Sequence, residues 1–354
     1  MSSSAGLSAE QNPRLTPETL GSFRSLRPPG VLPHTAELLD AGTPANEFEL
    51  AIDVQLLAVD ATSYRAIRER CDADPSRMAE TIREIVAQRG KLQNPWTGSG
   101  GVLMGRVTHV GERYDASPVR EGEMVVPLAS LIAIPLALRS VGPLRPDSPH
   151  VPVAGDAIVT GKMIVASVPE DLPPEVVIAA LDVYPAASYA RDLTGQGDHV
   201  LVLGCGHAGL MAIAAARDAI SSSGLLSTVD IDDDALARAR KVDPTVNAVR
   251  ADVTDPVAVA TRLAQAGLPP ADVTLLCTTV AGAEGTALLA TDERGTVVFF
   301  STATSFAAAA LGADSIGSRA QLLIPNGLTD DAGSHALALL RSNEPLLAAF
   351  QATS

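Results

Sequence analysis

Aromatic side chains make up only 3% of the 354 residues, with a single tryptophan, so Ala, Val and Leu must fill the core. Cysteine is scarce too. Cys71, Cys205 and Cys277 lie far apart with no CxxC pair, which excludes a disulfide framework and a four-cysteine zinc lobe. Basic residues are outnumbered 26 to 41, a formal net charge of −15. A surface of that sign repels phosphate backbones, so nucleic acid is not an expected partner. Long apolar runs are missing as well: "LASLIAIPLAL" is about half the length of a membrane span and contains Pro135. The start, "MSSSAGLSAEQNPRLTPETLG", has neither the basic opening nor the apolar stretch of a secretion signal. These absences lead us to expect a soluble, cytoplasmic protein.

What is present reads as about two domains. The first thirty-odd residues are Ser/Pro/Gly-rich and are expected to form a loosely packed arm. From "EFELAIDVQLLAVD" to "EGEMVVPLASLIAI" the apolar residues alternate or form short runs, the pattern of strands. One helix interrupts them: in "SRMAETIREIVAQRG" Met78, Ile82, Ile85 and Val86 share a face, with Ser76 as N-cap and Gly90 as stop. From about residue 175, strands such as "HVLVLG", "LLSTVDID" and "DVTLLCTT" alternate with helices, the signature of a doubly wound parallel sheet.

The sharpest motif is "VLGCGHAGL", which spaces Gly204, Gly206 and Gly209 as G-x-G-x-x-G between a strand and a helix. The first glycine permits the tight turn, the second admits a pyrophosphate to the backbone, and the third lets helix and strand pack closely. Asp230 follows 21 residues after Gly209, at the end of the next strand, the alternative being that it caps the helix that follows, for which Asp232 and Asp233 are better placed. A carboxylate there accepts from a ribose diol and repels a 2′-phosphate, which favours NAD over NADP. His207 lies within reach of the pyrophosphate or faces solvent. The same stretch also looks like the adenosylmethionine site of class I methyltransferases, although Val202 and Ala208 stand where those carry an acidic residue and a glycine.

A β-rich half followed by this motif resembles the medium-chain dehydrogenase/reductase superfamily. The blocks "RGKLQNPWTGSGGVLMG", "PEDLPPEVVIAALDV", "VVFFSTATSFAAAALGA" and "NGLTDDAGSHALALLRSNEPL" are similar to its L-erythro-3,5-diaminohexanoate dehydrogenase family. The resemblance implies an α/β architecture in which a GroES-like β-rich catalytic domain (1–165, with its arm to about residue 30) precedes a Rossmann NAD-binding domain (166–320). A closing segment (321–354) would return to the catalytic domain. It further implies an NAD-dependent oxidative deamination of an amino acid, by a homodimer in which "AQLLIPNG" extends a sheet across the interface. The cofactor would be held by Gly204, Gly206, His207, Gly209, Asp230, Asp252, Thr278, Ser301 and Thr304, the alternative for the last two being hydroxyls bonded to the backbone of their own turn.

Zinc alcohol dehydrogenases of the superfamily carry Gly-His-Glu where this chain reads "GSGGVLMG", placing Gly101 and Val102 at the ligand positions. The cysteine ligand after "AIDVQLLAV" is absent too, since "DATSYRA" offers only Asp60, Thr62 and Ser63. Zinc needs three protein ligands and an open position, so no metal is expected. Oxidising an amine leaves a cationic iminium, which a carboxylate favours and a zinc ion does not. Asp60 and Asp182, at segment ends that border the cleft in the resembling fold, are the candidates for general base and cation stabiliser; Asp182 alternatively caps the helix that follows it. Lys91 is a candidate for pairing the substrate carboxylate, or Asp182. Ser63, Asn94, Thr97 and Ser99 are expected to line a substrate site whose glycines admit the ligand, the alternative being a plain surface turn. A zinc-independent quinone or enone reductase, and a nucleotide-binding protein without chemistry, stay open.

Overall fold

The computed structural model of the chain describes residues 16–301 and 303–352, and divides into two compact units, up to Asp171 and from Leu172 onward. The first unit opens with α1 (Pro17–Leu20), β1 (Ser25–Arg27), β2 (Leu38–Leu39) and β3 (Leu50–Val59). Next come α2 (Ala61–Arg70), α3 (Pro75–Arg89), β4 (Gly101–Val110), β5 (Met124–Pro127), β6 (Leu136–Val141), β7 (His150–Val159) and β8 (Val165–Ser167). Six strands form one antiparallel sheet in the order β6-β7-β3-β4-β5-β8. Central β3 buries Leu50, Ile52 and Val54 by simple alternation; the register then slips between Val54 and Leu56. Helix α3 seats Met78, Ile82, Ile85 and Val86 in the same core.

Two local expectations change. The N-cap of α3 is Asp74 rather than Ser76: Asp74 Oδ1 accepts from Arg77 N at 2.9 Å, with Pro75 at the first helical position. Helix α2, which the alternation did not indicate, begins right after Asp60. Residues 1–15 lie outside the described residues, but the rest of the expected loose arm is tightly held. Arg24 is fully buried, bidentate on Glu49 at 2.7 and 2.6 Å, and donates to the carbonyls of Asp40, Thr43 and Pro44. Those five contacts give a buried guanidinium the acceptors it requires.

The second unit contains α4 (Pro174–Asp192), β9 (His199–Leu203), α5 (His207–Ile220), β10 (Leu225–Asp230), α6 (Asp233–Val242) and β11 (Asn247–Arg250). It continues with α7 (Pro256–Gln265), β12 (Ala271–Leu276), α8 (Glu284–Ala290), β13 (Thr291–Phe299) and α9 (Phe306–Ile316). Last come β14 (Gln321–Leu323), α10 (Ser334–Ser342) and α11 (Glu344–Gln351). The six strands are parallel throughout, in the order β11-β10-β9-β12-β13-β14. That is the order of dinucleotide-binding sheets, with its switch point beside β9. β9 is buried along its whole length, as a strand covered on both faces must be. The closing helices, expected to return to the first domain, pack α10 on α4 and α11 on α4, α5 and α6. Among the described residues, no helix is long and apolar enough to cross a membrane.

Candidate functional site

The loop between α3 and β4 is closed by its own polar groups. Ser63 Oγ, on α2, lies 2.7 Å from Thr97 Oγ1 and 2.8 Å from Ser99 Oγ, and Ser99 Oγ is 3.1 Å from Thr97 Oγ1, so three hydroxyls form a ring. Asn94 is buried; its Nδ2 donates to Ser63 O at 3.2 Å and its Oδ1 accepts from Trp96 N at 2.9 Å. Trp96, half-exposed, is covered by the Arg70 guanidinium 4.3 Å from its ring. Two of the glycines do not admit a ligand. A Cβ on Gly100 would stand 2.3 Å from Leu92 O, and one on Gly101 2.0 Å from Ala58 O. They let the loop lie on its own backbone. At Gly101, φ is +113° besides, so a histidine there would strain the backbone as well as collide with it.

Asp60 stands at the edge of this ring. Its Oδ1 accepts from Ser63 N at 2.9 Å and caps α2, while its Oδ2 is buried with no hydrogen-bond partner among the described residues. A carboxylate oxygen in that state is costly unless a ligand cation or a proton satisfies it. The structure therefore gathers Asp60, Ser63, Asn94, Thr97 and Ser99 at one place. Among the described residues, no group of three or more His, Cys, Asp or Glu side chains is arranged to hold a metal ion.

In the second unit the glycine motif joins β9 to α5. Gly204 has φ +99°, and its missing side chain makes way for Thr278, whose N lies 2.9 Å from where a Cβ would be. A Cβ on Gly209 would fall 1.8 Å from Gly204 O, whereas one on Gly206 meets nothing within 4 Å. Gly206 is the N-cap of α5 and offers no side-chain acceptor to the first N–H groups of the helix. Open space above orphan N–H groups fits a pyrophosphate. Asp230, at the end of β10, keeps lone pairs for a ribose diol beyond the two it gives to Cys205 N and Asp232 N. The residues present fit NAD.

With both loops described, sequence relatives can be placed beside them. The chain is 33% identical over 334 residues to the L-erythro-3,5-diaminohexanoate dehydrogenase of Acetoanaerobium sticklandii, covering 94% of this chain and 97% of that one. It is likewise 33% identical to the enzyme of the same name from Fusobacterium nucleatum, covering 93% and 96%. Residues 23–169 match the profile of the L-erythro-3,5-diaminohexanoate dehydrogenase N-terminal domain. The chain belongs to the L-erythro-3,5-diaminohexanoate dehydrogenase family. It is thus an oxidoreductase, and the methyltransferase alternative falls. Solved structures agree on the fold. A mycobacterial quinone oxidoreductase superposes with a TM-score of 0.54 at 19% identity, covering 88% of each chain. An Escherichia coli short chain alcohol dehydrogenase complexed with NADH gives 0.52 at 16%, covering 86% and 83%.

Several of the other expected residues of this family member are engaged by the protein's own backbone. Lys91 is fully buried and donates to the carbonyls of Pro33 and His34 at 2.9 and 3.2 Å, with no carboxylate partner among the described residues. Burial, with a smaller contribution from Arg89, lowers its pKa to about 8. It anchors the segment before β2 and is not placed to meet a substrate. Asp182 neither precedes nor caps a helix: it is half-buried in the middle of α4. Asp252 is exposed and turned into its own loop, accepting from Thr254 N and Oγ1, which lowers its pKa. Ser301 Oγ accepts from Ala303 N, and Thr278 Oγ1 from Val280 N, so both hydroxyls hold turns. Thr304 Oγ1 is buried with no partner among the described residues.

Three further features escaped the sequence reading. His207, at the start of α5, stacks on Phe350 of α11 with ring centroids 4.1 Å apart. Cys205, inside the glycine motif, is buried with Sγ 3.0 Å from Thr228 Oγ1, and burial drives its thiol up to about 12, so it is not a nucleophile at neutral pH. Glu284 is a buried carboxylate at the start of α8, accepting from Ser305 N at 2.6 Å. Its only signal was an acid in the first turn of a short helix, which ordinarily faces solvent.

Proposed function

We propose that the chain oxidatively deaminates L-erythro-3,5-diaminohexanoate, or a similar amino acid, to the 3-oxo product with release of ammonia, using NAD and no zinc. The relatives carry the substrate name. The structural observation that carries the chemistry is the buried, unpartnered Oδ2 of Asp60. An ammonium is the group that satisfies such an oxygen, and Asp60 then takes the proton the amine must lose before oxidation. After passing that proton to solvent, the carboxylate favours the iminium by its charge, accepts the proton of the water that attacks the iminium carbon, and gives it to the departing nitrogen. Ser63, Thr97 and Ser99 offer hydroxyls beside it; Asn94 holds the loop, and Lys91 holds the chain behind it. Gly101 and Val102 replace the superfamily's zinc ligands, which supports a metal-independent site. Asp182 is the candidate for a second carboxylate.

NAD supplies the hydride acceptor when bound. Gly204, Gly206, Gly209 and His207 would hold its pyrophosphate and Asp230 its ribose, with Asp252, Thr278, Ser301 and Thr304 on the neighbouring loops. The protein works as a cytoplasmic homodimer in lysine degradation. β14 supports the dimer: it is the last strand of its sheet, next to β13 only, and Leu322 and Ile324 are exposed.

Incubating the purified protein with NAD and L-erythro-3,5-diaminohexanoate should yield NADH and ammonia in equal amounts. Reduction of a quinone or an enone, with no ammonia from the diamino acid, would replace this reading with the reductase one.

A further inference from the structure

Glu284 is a buried acid of the second unit that no role above uses, and unlike Asp243, which pairs with Arg217, it shows no ion pair among the described residues. It is 5% exposed, and its Oε1 accepts from Ser305 N at 2.6 Å. Ser305 is the N-cap of α9, its Oγ accepting from Ala308 N. Glu284 therefore sits in the first turn of its own helix and beside the start of another, and both helix ends favour negative charge. The bond crosses the carboxyl edge of the sheet. It joins the start of α8, after β12, to the loop after β13, which carries Ser301 and the hydroxyl of Thr304, without a partner among the described residues. The loop after β12 in turn touches the glycine motif, since Thr278 fills the space that Gly204 leaves open. One close approach and one hydrogen bond, joined by the β12–α8 loop, thus link the glycine motif to the β13–α9 loop.

In a sheet of this order the adenosine diphosphate half lies over β9 and β10, and the other half of the dinucleotide lies over β12 and β13. We propose that Glu284 is a positioning residue for the nicotinamide half: through Ser305 N it sets the β13–α9 loop, and with it Thr304, at the place where the nicotinamide ring must sit. The proposal rests on the reading of this unit as the NAD site. A charge-assisted bond to a backbone N–H is stronger than a neutral one, so its loss releases the loop while leaving the sheet and the glycine motif intact.

Calorimetric titration of the full chain with NADH and, separately, with ADP tests this, together with melting temperatures. Glu284→Ala should weaken NADH binding by about tenfold and leave ADP within about twofold. Glu284→Asp keeps the charge but withdraws the oxygen by one methylene, and should show the same selective loss even if the alanine variant folds poorly. Glu284→Gln, whose amide oxygen still accepts from Ser305 N but without the charge, should recover only part of the NADH affinity. Parallel loss of NADH and ADP binding would mark Glu284 as merely structural and overturn the proposal, as would unchanged affinities in the Ala and Asp variants. A wild-type chain that binds neither ligand would sink the cofactor reading first and this proposal with it.

Discussion

Asp230 reaches back across the glycine motif: its Oδ2 accepts from Cys205 N at 2.7 Å, while its Oδ1 accepts from Asp232 N at 2.9 Å. One carboxylate thus orders the loop before α5 and the turn before α6, and still has lone pairs for a ribose. Asp230→Ala should therefore weaken NADH by more than about tenfold and NADPH much less, because only the former offers a 2′-hydroxyl. Equal loss for both cofactors in fluorescence titrations would mean that Asp230 serves the loop alone.

Two of the motif glycines should respond differently to one methyl group. Gly209→Ala places a Cβ against Gly204 O, an overpacking that costs about 1–3 kcal/mol or more and should lower the melting temperature. Gly206→Ala meets no protein atom within 4 Å, so the fold should melt as the wild type does. Its NADH affinity should nonetheless fall, since the methyl occupies the space of the pyrophosphate. Unchanged NADH binding in Gly206→Ala would place the phosphates elsewhere.

Asp60→Asn keeps an oxygen for Ser63 N, and asparagine caps helices as well as aspartate, so stability should stay within about 1 kcal/mol. Turnover should fall by about 100-fold or more, the usual contribution of a general base, with NADH binding unaffected. Steady-state kinetics beside a melt separates the two effects. Undiminished turnover would remove Asp60 from the chemistry.

Lys91 gives stability a pH dependence of known sign. Burial lowers its folded pKa to about 8 from an ordinary 10.5. Between those values the unfolded chain binds more protons than the folded one, so stability rises with pH; below about 8 both states are charged and the folded state bears the full desolvation cost, ~3 kcal/mol. Urea melts between about pH 8 and 10 should show the wild type gaining just over ~1 kcal/mol per pH unit relative to Lys91→Met. A parallel pH profile for the two proteins would show that the amine stays hydrated.

Sequence periodicity foretold much of this molecule. The alternation of Leu50, Ile52 and Val54, the helical face of Met78, Ile82, Ile85 and Val86, and the strand–glycine–helix run around Gly204 are local patterns, and local patterns survive folding unchanged. The glycine spacing announced the turn between β9 and α5 for the same reason.

The side-chain partners were not legible, because they join residues far apart in the chain. "GKLQNPWTGSGG" reads as an open, ligand-admitting loop, yet Ala58 O and Leu92 O already occupy the space that Gly101 and Gly100 leave. Lys91 reads as a substrate contact until folding brings the carbonyls of Pro33 and His34 onto its amine. Asp60 is a catalytic candidate only through the family resemblance, and Glu284 draws no notice in the sequence at all. Sequence by itself determined the strands, the helices and the glycine loop, since these depend on spacing along one segment. Only the tertiary structure decided which polar atoms are satisfied and which, like Asp60 Oδ2, have no partner among the described residues, because burial is a property of the whole packed chain.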